Sequence, residues 1–251
     1  MSSLKKFAPL PTAHVQSLKS IESGYWWFVG RVYWATQIVL SHWPDIRKGG
    51  YADIGCGTGG FGKAVKEHFG FQKVALVDPD PLMIETAGVT AGVTTIVSSF
   101  DDLKLPFRPS LITCMDVIEH IENDADFLRK LWATLDDKGC LILSVPAMPV
   151  LYSDWDKIFG HYRRYTRTDL TDKLQSVGFS VRFISYQWSF AVPLFPYRLL
   201  KQRLNRHNTE FDRVPDWLNA LLISLSRLEW ALAKKLALPL GTSLMVAAEK
   251  R

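Results

Sequence analysis

Cysteine is scarce: only Cys56, Cys114 and Cys140 occur in 251 residues. None has metal-binding spacing, and all lie in or beside apolar runs that read as core strands, which makes them small buried thiols in a reducing compartment. Long hydrophobic runs are missing too. No stretch approaches the ~18 apolar residues of a spanning helix, and the longest uncharged one, Phe183–Tyr197, holds two prolines and several polar residues. Met1–Leu10 carries lysines but no apolar stretch long enough for a secretory signal. There is no internal repeat, no low-complexity tract and no long basic stripe. The net charge of +5 is too modest to single out nucleic acid. What remains is an ordinary globular composition, 47% hydrophobic and 22% charged. That suits one sizeable α/β domain with an elaboration, expected to be soluble and cytoplasmic.

Residues 51–60, Tyr-Ala-Asp-Ile-Gly-Cys-Gly-Thr-Gly-Gly, narrow the chemistry most. A short apolar strand ends near an acid, and glycines at Gly55, Gly57 and Gly59 then form a tight turn before a helix. Glycine lets the main chain approach a ligand and adopt positive φ. Gly55, Gly57 and Gly60 also satisfy a dinucleotide fingerprint. Asp53 favours S-adenosyl-L-methionine instead: a carboxylate there repels a pyrophosphate but accepts hydrogen bonds from a ligand ammonium, directly or through water. Asp78, closing the next strand, can take both ribose hydroxyls, a role that nicotinamide enzymes share.

Strand-like runs fall at Tyr51–Ile54, Lys73–Val77, Thr94–Val97, Leu111–Met115, Leu141–Val145, Ser180–Ser185 and Ser243–Ala248, with helical segments between the first five. That alternation predicts a parallel sheet covered on both faces, with ligands beyond the strand C-termini. Gly55–Gly59, Asp78, Ser99–Asp101 and Asp116–His120 all fall at such ends. Three units are expected: an N-terminal helical lid over 1–45, a core over 46–187 and 239–251, and a helical cap over 188–238. The cap is read as helices over Leu194–Leu204 and Trp217–Leu236.

With the glycine turn, Asp78 and Asp116-Val117-Ile118-Glu119-His120, the chain resembles class I S-adenosylmethionine-dependent methyltransferases of the ubiquinone-biosynthesis-like branch. Glu22, Tyr25-Trp26-Trp27-Phe28, Arg31, Gly160–Thr166 and Leu238–Leu244 look like a bacterial subgroup acting on small molecules, glycans or lipid-linked intermediates. The resemblance implies a Rossmann-like α/β three-layer sandwich whose seventh, antiparallel strand inserts between strands five and six. It also implies that Asp53, Gly55, Cys56, Gly57 and Gly59 hold the methionine moiety and Asp78 the ribose. Pro79, Met83, Ser99 and Phe100 would line the adenine, with Asp116 at the fourth strand end. Where many relatives have an acid near Ser99, this chain has Asp101 and Asp102.

A hydroxyl acceptor must lose its proton, so a base near neutrality is needed. His161 is the preferred base, in a segment dense in Tyr, Trp, Arg and Asp; the alternative is a histidine fixing that loop through Asp154 or Asp156. His120 is the second candidate, with a structural role as its alternative. Tyr152, Trp155, Tyr162, Arg163 and Arg164 are candidate acceptor contacts, the arginines gripping an anion or pairing with aspartates. Trp27 and its neighbours read as a lid, with Arg31 reaching the cofactor carboxylate. No metal is called for, and no feature sets an oligomeric state. The leucine-rich 217–236 stretch and the basic Arg198, Lys201, Arg203 and Arg206 suggest peripheral contact with the inner face of a membrane. An RNA or protein methyltransferase and a non-catalytic cofactor-binding subunit stand as competing functions.

Overall fold

The computed structural model describes residues 12–46, 49–196 and 214–251. Among them the helices are α1 (Thr12–Ile21), α2 (Trp26–His42), α3 (Gly60–Phe69), α4 (Pro81–Ala87), α5 (Asp124–Thr134), α6 (Asp154–Ile158), α7 (Arg167–Val177) and α8 (Asp216–Ala233). The strands are β1 (Gly50–Ile54), β2 (Val74–Asp78), β3 (Val93–Val97), β4 (Pro109–Met115), β5 (Cys140–Pro146), β6 (Phe179–Gln187) and β7 (Ser243–Lys250). They form one sheet in the order β3-β2-β1-β4-β5-β7-β6. The first five run parallel, and β7 lies antiparallel between β5 and β6. All seven expected strands are present, and the last takes the place that the resemblance implies.

The central strands are buried on both faces, so they read as continuous apolar runs. Alternate residues feed two cores. Ala52, Ile54, Ile112 and Leu143 pack with Leu128 and Leu131 of α5 and Leu170 and Leu174 of α7. Tyr51, Leu76, Leu111 and Ile142 pack with Trp34 and Ile38 of α2, Val65 of α3 and Trp230 of α8. Connections leave β1 and β4 toward opposite sides of the sheet, and the resulting crevice above their C-termini is where such sheets bind ligands.

The separate lid and cap meet a different arrangement. α2 is a core helix, with Trp34 and Ile38 wholly buried, and it packs along α8. The Trp34 indole donates to the Ser226 carbonyl at 3.0 Å. Asn219 of α8 accepts from the Trp26 amide at 2.8 Å and donates to the Gly24 carbonyl at 2.9 Å. Gly30 must be glycine, because a Cβ there would lie 2.3 Å from the Trp188 ring. The buried face of α2, Arg31, Trp34, Ala35, Ile38 and Val39 among it, explains this packing. The expected Leu194–Leu204 helix, with Arg198, Lys201, Arg203 and Arg206, falls almost wholly outside the described residues. No described helix is long and apolar enough to cross a membrane.

Candidate active site

The turn after β1 is a main-chain cradle. Gly55, Gly57 and Gly59 have φ of 73°, 54° and 79°, values that side chains disfavour. A Cβ on Gly55 would lie 2.3 Å from Val117, whereas one on Gly57 would meet nothing within 4 Å. Gly57 therefore presents bare backbone to the open crevice. Asp78 staples the turn, accepting from the Gly57 amide and the Asp80 amide, each at 2.9 Å. Burial raises its pKa.

Asp53 sits beneath the turn, 2% exposed. It accepts from the Thr113 hydroxyl at 2.6 Å and from the Gly62 backbone. Because the Thr113 proton goes to Asp53, the Tyr51 hydroxyl donates to Thr113, at 2.7 Å. Burial pushes the Asp53 pKa up to about 7 against the pull of the Thr113 hydrogen bond. An arriving ammonium would favour the ionised form.

Glu22, between α1 and α2, reaches the same turn. It accepts from the Thr58 hydroxyl and from the Gly60 amide at 3.1 Å. Lys19 pairs with it at 2.6 Å and donates to the Thr58 carbonyl at 3.1 Å. Around the expected adenine position, Met83 is buried on α4, while Phe100 turns into the core against Phe127. Packing claims Phe100 because it joins the apolar cluster beneath β3 and β4. Ser99 donates to Asp102 at 2.8 Å, and Asp101 pairs with Lys130.

The other rim is made of side chains from distant segments. Asp116, at φ 53°, pairs with Arg31 and accepts from the Ser144 hydroxyl at 3.2 Å. The Arg31 guanidinium lies 3.3 Å from the Trp27 ring centroid, a cation–π stack. Burial lowers its pKa to about 9, which still leaves it cationic at neutral pH. Arg31 thus faces Asp116, a protein carboxylate, at the position expected to meet the cofactor's.

The loop after β5 folds back over the turn after β4, where the Tyr162 amide donates to the Glu119 carbonyl at 2.8 Å. This brings the His161 and His120 rings edge to face, 4.7 Å between centroids. His161 Nδ1 is 2.9 Å from Asp156 Oδ1, and Arg164 Nε donates to the same oxygen at 2.8 Å. Burial alone would raise the Asp156 pKa; hydrogen bonds from His161 and Arg164 bring it down to about 2. His120 is pulled down to about 4 by burial and by His161, so it is neutral. Glu119 is fully buried, and neither carboxylate oxygen has a hydrogen-bond partner. Burial raises it to about 8 despite Arg31 and Arg164 nearby, so at neutral pH it is mostly a carboxylic acid. Ligand atoms of Glu119, His120 and His161 lie within 4.8 Å of one another, a spacing that could hold a divalent cation.

Arg163 and Arg164 are engaged internally. Arg163 pairs with Asp124 at 2.8 Å and donates to the Glu122 carbonyl at 2.7 Å; Arg164 holds Asp156 and the Ala147 carbonyl. Ion pairing with a buried aspartate outweighs a free arginine waiting for an anion. Tyr152 donates to the His161 carbonyl at 2.8 Å, and Trp155 packs on Phe159. Thr113, the reach of Glu22 to the turn and the protonation of Glu119 had no separate sequence signal. Thr113 becomes visible only once the β1–β4 register pairs it with Asp53.

Fold and crevice define a class: a Rossmann-like sheet whose glycine main chain and two buried carboxylates suit a nucleoside bearing an amino-acid cation. A family model described as a methyltransferase domain matches residues 35–182. The chain belongs to that family and is an S-adenosylmethionine-dependent methyltransferase. The ubiquinone biosynthesis O-methyltransferase of Rickettsia felis is 29% identical over 211 residues, 73% of this chain and 86% of that protein. The mitochondrial ubiquinone biosynthesis O-methyltransferase of Schizosaccharomyces pombe is 33% identical over 107 residues, 39% of this chain and only 38% of its own length. A Haemonchus contortus phosphoethanolamine N-methyltransferase structure, in complex with phosphomonomethylethanolamine and S-adenosylhomocysteine, superposes with a TM-score of 0.63 at 16% identity, covering 100% of this chain and 60% of that one. At that identity the likeness shows the fold.

Proposed function

We propose that the chain methylates a hydroxyl of a small-molecule, glycan or lipid-linked acceptor, with His161 as general base. The observation that carries this is the His161–Asp156 pair at the acceptor rim. An ionised Asp156 accepts the Nδ1 proton, so Nε2 keeps a lone pair for the acceptor's proton. His120 beside it, with its pKa pulled down to about 4, is a poor competitor for that proton. The names of the Rickettsia and fission-yeast relatives, which specify O-methylation, support an oxygen acceptor.

When bound, S-adenosylmethionine supplies a methyl group activated on a sulfonium. Main chain at Gly55–Gly57, with Asp53 beneath and Cys56 and Gly59 alongside, would hold its methionine part. Asp78 keeps lone pairs for the ribose hydroxyls after accepting two amides. Pro79 and Met83 would border the adenine. Arg31 and Trp27 would close the crevice opposite, and Tyr152, Trp155 and Tyr162 would line the acceptor. Arg163 and Arg164 would act from behind, through Asp124 and Asp156. We place the reaction in the cytoplasm, at or near the inner face of a membrane.

The test is methyl transfer from labelled cofactor to a panel of phenol, sugar and amine acceptors. Transfer to an oxygen, lost in His161→Ala with cofactor affinity unchanged by calorimetry, is expected. Full activity of His161→Ala on a hydroxyl acceptor removes the base. Transfer to amines alone removes the acceptor class.

A further inference from the structure

α8 has two unlike sides. Its inner edge, Ser226, Glu229, Trp230 and Ala233, is buried. On the outer side Trp217, Leu221, Leu228 and Leu232 are 70%, 47%, 59% and 50% exposed, and Leu236, just past the helix, is 70% exposed. Steps of four, seven and four residues keep side chains on one helix face. Single exposed leucines are ordinary, but a continuous row of this length marks an interaction surface.

The charges on the helix are sorted to match. Lys234 and Lys235 are exposed at its C-terminal end beside Leu232 and Leu236, while Arg227, also exposed, leans toward α2 with its guanidinium 5.6 Å from the Tyr33 ring. Glu229 is withdrawn inside, where its carboxylate accepts from the Trp188 and Ser189 amides at 2.9 and 2.6 Å. Asp216 is confined to the first turn. In sequence, the adjoining residues 197–213 carry five Arg or Lys against two acids. An apolar row ending beside two lysines, with Glu229 turned away and Asp216 at the far end, is complementary to a negatively charged apolar boundary. A second copy of this face would set cations against cations.

We infer that the outer face of α8 docks on an anionic lipid bilayer surface, with its Trp and Leu row entering the headgroup–acyl boundary and Lys234 and Lys235 meeting the phosphates. Through Asn219, α8 also holds the start of α2, the helix that carries Trp27 and Arg31 to the crevice. Docking therefore places the crevice one helix layer from the lipid, which suits the lipid-linked branch of the proposed acceptors. The docking itself does not depend on that reading.

The experiment is flotation of the full chain with phosphatidylglycerol–phosphatidylcholine vesicles, compared with phosphatidylcholine alone, at low and high salt. The variants are the triple Leu221→Glu, Leu228→Glu, Leu232→Glu and the double Lys234→Glu, Lys235→Glu. Cofactor affinity by calorimetry and thermal unfolding are read in parallel and should not change, since these side chains are exposed. Flotation confined to anionic vesicles and weakened by salt is expected. It should be abolished in the triple variant and reduced at least about fivefold per charge in the double. No flotation of the parent chain, or flotation indifferent to the leucines, overturns the inference. Concentration-dependent dimerisation lost in the triple variant without vesicle binding also overturns it and assigns the face to a second copy. A large fall in unfolding temperature of that variant without vesicle binding overturns it in favour of an intramolecular cover. Failure of methyl transfer to any acceptor, with flotation intact, would sink the functional reading alone.

Discussion

The two rims of the crevice are made of different material. The rim proposed for the cofactor is mostly main chain from ten consecutive residues, shaped by glycine φ and held by Asp53 and Asp78. The rim proposed for the acceptor is a side-chain network gathered from α2, the turn after β4 and the loop after β5. Backbone recognition tolerates little variation, because only glycine fits. A side-chain network can be rewired residue by residue, so acceptor choice can change while the cofactor stays the same.

The sharpest way to break this contrast is to damage one rim and read the other. His161→Ala should lower turnover about 10²–10⁴-fold with calorimetric cofactor affinity unchanged. Asp156→Asn should lower it comparably, by removing the anion that orients His161. If cofactor affinity falls in step with turnover, the rims are not separable. Dialysis against EDTA should leave turnover intact; a loss reversed by a divalent cation would make Glu119, His120 and His161 a metal site.

Next in size, Asp53→Ala should weaken cofactor binding about 100-fold, the order expected for hydrogen bonds to a charged group, leaving the His161 region folded. Gly62→Val should act alike, since a Cβ there would lie 2.4 Å from Leu76 and 2.8 Å from Asp53. Normal cofactor titration curves for both would count against a carboxylate beneath the turn.

A smaller effect concerns stability and pH. Glu119 holds its proton up to about pH 8 when folded, whereas unfolded it ionises near 4.5. Between those values the native state binds more protons, so stability falls as pH rises through the window. Glu119→Gln should therefore unfold at a higher temperature than the parent at pH 8, by several degrees at about 2–4 °C per kcal/mol, with the gap closing toward pH 5. Asp156 has the opposite sign. Held at about 2, it stabilises above its unfolded value near 3.8, and that contribution is lost as pH falls toward 2. A Glu119→Gln gap independent of pH would mean the carboxyl is not protonated in the fold. Smallest of all, Glu22→Ala should weaken cofactor binding about fivefold, one hydrogen bond's worth, measured by calorimetry.

Legibility followed the same division. The strands, the glycine turn, Asp78 and the Asp116–His120 turn were visible in the sequence because each depends on neighbours within a few residues. The lid and cap expected from the sequence are in contact through α2 and α8. Aromatic residues on α2 read as a cover, but Trp34 and Ile38 belong to the sheet's core, and Trp188 fills the space that Gly30 leaves. Arg163 and Arg164 read equally well as anion grips or aspartate partners. The pairing with Asp124 and Asp156 follows from loop closure, which local pattern does not encode.

By itself the sequence determined the family, the parallel sheet and the glycine turn after β1, because hydrophobic period and glycine φ are local properties. Only the tertiary structure decided that Thr113 backs Asp53, that Asp156 orients His161, and that Glu119 is buried without a partner. The first two relations join residues 60 and 5 positions apart, and burial, which sets their protonation, exists only once the chain has closed around them.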